Sequence, residues 1–324
     1  MFSRPVFYAF TMLLLSCTQT KKDTNEVTQK EPLKPNTGIS LVVLGNVQDA
    51  GSPHIACKKD CCKSLFDSED QSRKVVSLGL IDNLEQKTFL FEATPDMTYQ
   101  LHSLKESTDW ATSDIPNGIF ITHAHIGHYT GLMYLGKEAT NAKDVPVYAM
   151  PKMSDFLSTN GPWSQLVSDK NIKLVAIENE QLLPLTNSIQ VLPYKVPHRD
   201  EYSETVGFKV IGPNKSFLFI PDINKWNIWK TDIRSIIKEV DYAFLDATFF
   251  DAKEINNRDI SEIPHPFVIE SMSLFDSLSP QDKKKVYFIH FNHTNPLLDE
   301  HSEATKLVKE KGFSIARKDM KFTL

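Results

Sequence analysis

The chain carries no long block of one charge. Its 36 Lys and Arg and its 41 Asp and Glu, a formal net charge of -5 over 324 residues, are interspersed, so it lacks the clustered basic face that displaces counterions from phosphates. A nucleic-acid partner is not expected. The chain also has no apolar run long enough for a bilayer: the stretch Pro5 to Leu15 falls short of the roughly 20 residues that a spanning helix needs. Past residue 37 neither a second linker nor an internal repeat interrupts the sequence. One large domain is expected, within the size that sandwich and barrel folds reach. Cysteine is scarce, four residues in all, and Cys57, Cys61 and Cys62 lie close together.

At the N-terminus, Arg4, the short apolar stretch and the small residue Ser16 before Cys17 have the shape of a secretory h-region and its cut. A cysteine at that cut resembles the lipobox of bacterial lipoproteins. The resemblance implies cleavage before Cys17 and acylation of that cysteine; an ordinary signal peptide or an uncleaved anchor is the alternative. The segment that follows is rich in Lys, Thr, Gln, Glu and Pro and buries too little apolar surface to fold. The expected organisation is a signal peptide over 1–16, a disordered tether over 17–37 and a folded domain over 38–324. With Thr18 rather than Asp after the cysteine, the resemblance implies a bacterial cell-envelope lipoprotein, held in the outer membrane or facing the periplasm by its lipid anchor.

The folded part reads as many short strands with helices between them. β-branched and aromatic content bounded by turn residues predicts strands at Ile39–Leu44, Val75–Leu80, Thr88–Glu92, Gly118–Thr122, Val145–Ala149, Ile172–Ile177, Ile189–Val196, Thr205–Ile211, Ser216–Ile220, Tyr242–Leu245 and Val286–Ile289. A hairpin turn is expected within Leu80–Leu84. Helices are expected at Tyr129–Leu135, Lys152–Thr159, Thr231–Glu239, Pro266–Leu278 and Glu300–Lys311, the last two starting near polar or Pro residues that suit a first turn. Strands whose outer faces must be covered by helices imply a layered α/β sandwich.

Chemistry concentrates at the ends of those strands. In Ile119 to Leu132, IFITHAHIGHYTGL, a buried-looking strand runs into His123, His125 and His128, three of the chain's ten histidines. Alternation puts the i and i+2 imidazoles on one side of the chain, and the third follows within a turn, so all three can converge on an ion. A His-rich surface loop is the plainer alternative. His198 follows another strand, Asp222 a third and His290 a fourth, with His293 three residues on as a rival for the last position.

With His123, His125, His128, His198, Asp222 and His290 in that order, the chain resembles the metallo-β-lactamase fold hydrolases over the whole domain. The resemblance implies a four-layer αββα metallo-β-lactamase sandwich. It also implies one or two metal ions, Zn²⁺ first with Fe and Mn as alternatives, held by those six residues. Within the superfamily, Gly45 to His54 with the cysteines after it, and Asn292 to Pro296, are similar to the opening and closing segments of the pyrroloquinoline quinone biosynthesis B group. Asp246-Ala247-Thr248-Phe249 with His265 downstream resembles the ribonuclease Z segment that supplies a catalytic His. The chain departs from the motif H-x-H-x-D-H at one place, where Gly127 replaces the Asp that ligates the second ion. His123, His125 and His198 still leave a fourth position for water on one zinc, so one tightly held ion is expected there. Asp49 or Asp96, at neighbouring strand ends, could substitute for the missing carboxylate, and Gly127→Asp is expected to add a second ion if His128, Asp222 and His290 already face the gap.

His54, Cys57, Cys61 and Cys62 have spacings that suit a small structural Zn²⁺ site, with a disulfide of Cys57 to Cys61 or Cys62 as the alternative. His265, between two prolines, is conformationally restricted and suits a proton donor. Trp226 and Trp229 read as a lid or packing cluster, and His102 and His301 as solvated. The expected activity is metal-dependent hydrolysis of a small-molecule ester, lactone, amide, thioester or phosphodiester by a metal-bound hydroxide, with Asp222 and His265 managing protons. A role tied to pyrroloquinoline quinone biosynthesis or transport, and a non-catalytic metal-binding lipoprotein, are the alternatives.

Overall fold

The computed structural model describes residues 1–2, 38–199, 201–256 and 259–324. Cys17, the leader from residue 3 onward and the tether lie outside them. Thr37–Leu324 forms one compact unit, and none of its described helices is long and apolar enough to cross a membrane.

Among the described residues, fourteen strands build two sheets of seven: β1 (Ile39–Gly45), β2 (Ser77–Asp82), β3 (Lys87–Phe91), β4 (Gly118–Phe120), β5 (Val145–Ala149), β6 (Ile172–Ala176), β7 (Leu183–Pro184), β8 (Gln190–Lys195), β9 (Val206–Ile211), β10 (Ser216–Ile220), β11 (Tyr242–Asp246), β12 (Val286–Ile289), β13 (Ser314–Ile315) and β14 (Lys321–Thr323). The first sheet runs β14-β1-β2-β3-β4-β5-β6 and the second β13-β12-β11-β10-β9-β8-β7. In each, an antiparallel portion meets a run of parallel strands, β3 to β6 and β10 to β13.

Side-chain alternation sorts the apolar residues into layers. Ile39, Leu41 and Val43 of β1, Phe89 and Phe91 of β3, and Phe217 and Phe219 of β10 share the core between the sheets. There Phe91 stacks on Phe120 at 4.7 Å and meets Phe208 edge-on at 5.6 Å. The intervening Val42, Leu44 and Leu90 point the other way and are covered by the helix Met97–Glu106 and by Leu132, Met153 and Leu157. Leu218 and Ile220 likewise lie under Ile233, Ile237, Val268 and Phe275. The result is the expected αββα sandwich, in which strands buried on both faces read as continuous apolar runs.

The differences from expectation are local. β7, β13 and β14 are two or three residues long, too short to show a period. The helix Met97–Glu106 was not expected because its buried face, Met97, Gln100, Leu101 and Leu104, includes a glutamine. Gln100 is fully buried, donating to Val75 O at 2.6 Å and accepting from Thr94 Oγ1 at 2.7 Å. The first hairpin turns later than expected, after Asp82, whose carboxylate accepts from Leu84 and Glu85 N–H at 2.9 and 3.0 Å.

Candidate metal centre

One edge of the sandwich collects the C-terminal ends of the parallel strands, the place where open α/β sheets present side chains to ligands. Glu92 follows β3, His123 follows β4, Asp222 follows β10, Asp246 ends β11 and His290 follows β12. His125 caps the four-residue helix Ile126–Tyr129, which carries His128 back under the sheet edge, and His198 comes from the turn after β8.

Four of these ligand atoms outline a tetrahedron. His125 Nδ1 lies 2.8 Å from His123 Nε2 and 3.3 Å from His198 Nε2. Asp222 Oδ2 lies 3.4 Å from His123 Nε2, 3.2 Å from His198 Nε2 and 4.0 Å from His125 Nδ1. Ligands about 2.0–2.1 Å from a tetrahedral zinc ion are about 3.3 Å from one another, so the residues fit the ion. The imidazoles are oriented from behind, as metal-ligating histidines are: His123 Nδ1 is 2.8 Å from Thr122 Oγ1 and His198 Nδ1 is 3.0 Å from Asn224 Oδ1. Burial, then His128, holds His123 well below its ordinary value, which keeps it neutral and able to coordinate.

A second group adjoins the first. His128, His290 and Asp49 offer ligand atoms that all lie within 4.8 Å of one another, and Asp222 Oδ2 is 3.8 Å from His128 Nε2. Asp222 therefore faces both groups. His290 Nδ1 is fixed 2.9 Å from Thr248 Oγ1, and Glu92 stands 3.3 Å from His128 Nδ1 with both residues fully buried. Burial would lower His128, but Glu92 outweighs it and raises the group to about 9. Glu92 and His290 adopt left-handed φ of 76° and 69°, at a cost of about 1 kcal/mol or more each.

His265 closes the site from the loop before the helix Val268–Leu274. Its Nδ1 is 2.9 Å from Asp246 Oδ2 and 3.2 Å from Asp222 Oδ1. Burial opposes its charge, yet Asp222 and Asp246 raise it to about 10. Asp222 is held well below the ordinary carboxylate range: burial works against this, and the neighbouring His265 and His198 overcome it.

Two expectations are corrected. Asp96 is not a ligand: its carboxylate accepts from Val75 N–H at 2.8 Å beside Lys74 Nζ at 4.0 Å, tying a helix start to the sheet. In the cysteine cluster, the nitrogen within 4.8 Å of the Cys57, Cys61 and Cys62 sulfurs belongs to His293. His54 instead stacks its ring on His293 at 4.4 Å, and its backbone N–H donates to Cys62 Sγ at 3.3 Å. The three thiols are free, with the Cys61 and Cys62 sulfurs 3.9 Å apart. Burial, helped by His54, brings His293 down to about 4, the neutral form a metal requires. His290 thus stays in the central cluster, and His293 goes to the cysteines.

Glu92, Asp246, Thr248 and Asn224 were not assigned roles from sequence, although a lone acid ending an apolar strand, as Glu92 and Asp246 do, was a usable signal. Trp226 packs against Phe275 at 6.0 Å and donates to Ser271 Oγ at 2.9 Å. Trp226, Trp229, Lys225 and Pro266 line a cavity of about 530 Å³. His102 and His301 are exposed.

Layers, strand order and ligand cluster together define a metallo-β-lactamase sandwich. The chain belongs to the beta-lactamase superfamily: the sequence profile described as beta-lactamase superfamily domain matches residues 87–291. Within it, the chain is similar to coenzyme PQQ synthesis protein B of Nitrosococcus oceani, 25% identical over 85% of this chain and 96% of that protein. Among solved structures, Zn²⁺-bound PqqB from Methylobacterium extorquens superposes with a TM-score of 0.72 at 19% identity, over 88% of this chain and 100% of that one. A diphosphatase from the PhnP family gives 0.60 at 21% identity, over 88% and 97%.

Proposed function

We propose that the protein is a zinc-dependent hydrolase of a small ester, thioester, lactone, amide or phosphodiester. The observation that carries this reading is the close grouping of His123 Nε2, His125 Nδ1, His198 Nε2 and Asp222 Oδ2, with five of the six edges of a ligand tetrahedron at 2.8 to 4.0 Å and all within 4.8 Å. Zinc held there, with a water as a further ligand, would lower that water's pKa towards neutrality and polarise the bond to be cut. The chain's own residues supply the rest. His123, His125 and His198 bind and orient as neutral imidazoles. Asp222 accepts charge at the centre of the cluster. His265, protonated near neutral pH, has its Nδ1–H engaged by Asp246 and Asp222, which leaves Nε2–H to be given to a leaving group.

His265 supports this reading over a purely structural metal site, because it offers a proton carrier beside the tetrahedral group, 3.2 Å from Asp222 Oδ1. A role tied to coenzyme PQQ synthesis or transport is the second reading, and the similarity to the Nitrosococcus oceani protein favours it. The protein is further proposed to act in the cell envelope, anchored through Cys17, on a small molecule. The test is a hydrolysis screen of the purified full chain on chromogenic esters, thioesters, lactones and phosphodiesters, with metal analysis alongside. Turnover that vanishes with the metal in His123→Ala is expected. A metal-replete protein inert across every class would overturn the hydrolase reading.

A further inference from the structure

The histidine motif is short of one carboxylate at Gly127, and the structure shows what fills that place. Beyond β1, Val47 bridges both Val75 and Phe291. Gln48 N–H donates to Phe291 O, and Phe291 N–H to Asn46 O, each at 2.8 Å. The segment after β1 is therefore sewn to the residue following His290, and Asp49 comes next. A Cβ placed on Gly127 would lie 2.3 Å from Asp49 Cβ, 2.6 Å from its carbonyl oxygen and 2.7 Å from its Cα. No real contact is that short, so a side chain at 127 and the present course of Asp49 exclude each other.

Asp49 brings with it the group that position 127 lacks. Its carboxylate, His128 and His290 place ligand atoms within 4.8 Å of one another. His128 Nε2 and His290 Nε2 are buried with no hydrogen-bond partner among the described residues, a costly state for imidazole nitrogens unless something else satisfies them. Asp222 Oδ2 stands 3.8 Å from His128 Nε2 and adds a second carboxylate. Gln48 Nε2 donates to Asp49 Oδ1 and steadies it. Two imidazoles and two carboxylates suit a divalent ion of the zinc, manganese or iron type.

We propose that Asp49 supplies, from the loop after β1, the carboxylate missing from the histidine motif, and that Asp49, His128, His290 and Asp222 bind a second divalent cation beside the first. The assignment deepens the metal-site part of the proposed function and does not depend on hydrolysis. The histidine cluster then holds two ions, where the sequence alone leads to one.

The test is Co²⁺ titration of the metal-free full chain. Ions at the cysteines are recognised by sulfur-to-cobalt charge transfer in the near ultraviolet, and visible d–d steps that come without it are assigned to the nitrogen and oxygen ligands. Wild type is expected to show two histidine-cluster steps. Asp49→Asn, of the same shape, should keep the first and weaken the second by more than about 100-fold, beyond what loss of an outer hydrogen-bond partner costs. Asp49→Ala and His128→Ala should do the same, and Asp96→Asn should leave both steps. Loss of both steps together in Asp49→Asn and Asp49→Ala, a wild type taking one ion, or Asp49→Asn binding two with unchanged affinity would each overturn the proposal. Loss of the second step alone, in a protein that hydrolyses nothing, would sustain the site and sink the hydrolase reading.

Discussion

His265 Nδ1 lies 2.9 Å from Asp246 Oδ2, and Asp246 in turn accepts from Ile223 N–H at 3.1 Å and from Thr248 N–H and Oγ1 at 2.9 and 2.7 Å. The carboxylate is fully buried, and it holds the imidazole against the ligand cluster, where His265 Nδ1 also lies 3.2 Å from Asp222 Oδ1. In the proposed function the other imidazoles hold the metal and His265 moves a proton.

His265→Ala is therefore expected to leave the metal content of the full chain unchanged and to lower turnover on an identified substrate by about 10²–10⁴, the usual worth of a positioned acid. The same residue gives a pH signature to the metal-free protein. Its folded pKa of about 10 lies above the ordinary 6.5, so its stabilisation is complete below about pH 6.5 and is lost as pH rises through 10. Thermal melts from pH 6 to 10.5 should show the gap between wild type and His265→Asn closing as pH rises. A gap that widens would mean that the imidazole is neutral in the fold.

Gly127→Asp is expected to gain no ion, contrary to the reading from sequence, because the Asp49 backbone occupies the space its Cβ needs. Even Gly127→Ala must push that backbone aside, at about 1–3 kcal/mol for overpacking a filled site. Denaturant unfolding measures the cost, and the Co²⁺ titration should show the second step weakened by the displacement of Asp49. An alanine variant as stable as wild type would place the loop elsewhere.

What could be read in advance follows from how each signal is written in the chain. Strands buried on both faces, such as Ser216–Ile220, announce themselves as apolar runs, and Asp222 and His290 sit two residues and one residue beyond theirs, in the superfamily's order. The relation between Asp49 and Gly127 has no such signature. It is a close approach of two segments far apart in sequence, set by the pairing of Val47 with Phe291. Nearness in sequence also pointed to His54 for the cysteine cluster, whereas the fold returns His293 to it from the far end of the chain. Gln100 hid a helix because a buried side chain that bonds both Val75 and Thr94 looks polar on paper.

The envelope assignment stands or falls on Cys17. Expression in a diderm bacterium with an intact lipoprotein pathway should yield a mature N-terminus at Cys17 carrying acyl groups, seen as a mass shift of the N-terminal peptide and as membrane association lost in Cys17→Ser. An unmodified peptide starting at Met1 would remove the anchor.

The cysteine cluster allows the fourth ligand to be told from its neighbour. His293 offers its nitrogen within 4.8 Å of all three sulfurs, whereas His54 lies stacked on the face of its ring and can act only by packing and by its backbone N–H. The thiols do not favour coordination by themselves. The Lys59 backbone N–H draws Cys57 down, but burial and the neighbouring Cys62 push Cys61 up to about 12, so an ion must displace its proton and binding should weaken as pH falls. His293→Ala is expected to abolish the sulfur-to-cobalt charge-transfer band or shift it towards a three-sulfur site with water. His54→Ala should keep the band and lower affinity by about 10-fold, the smaller cost of losing a residue that only supports a ligand. If His54→Ala abolishes the band and His293→Ala preserves it, the fourth ligand comes from the N-terminal segment after all.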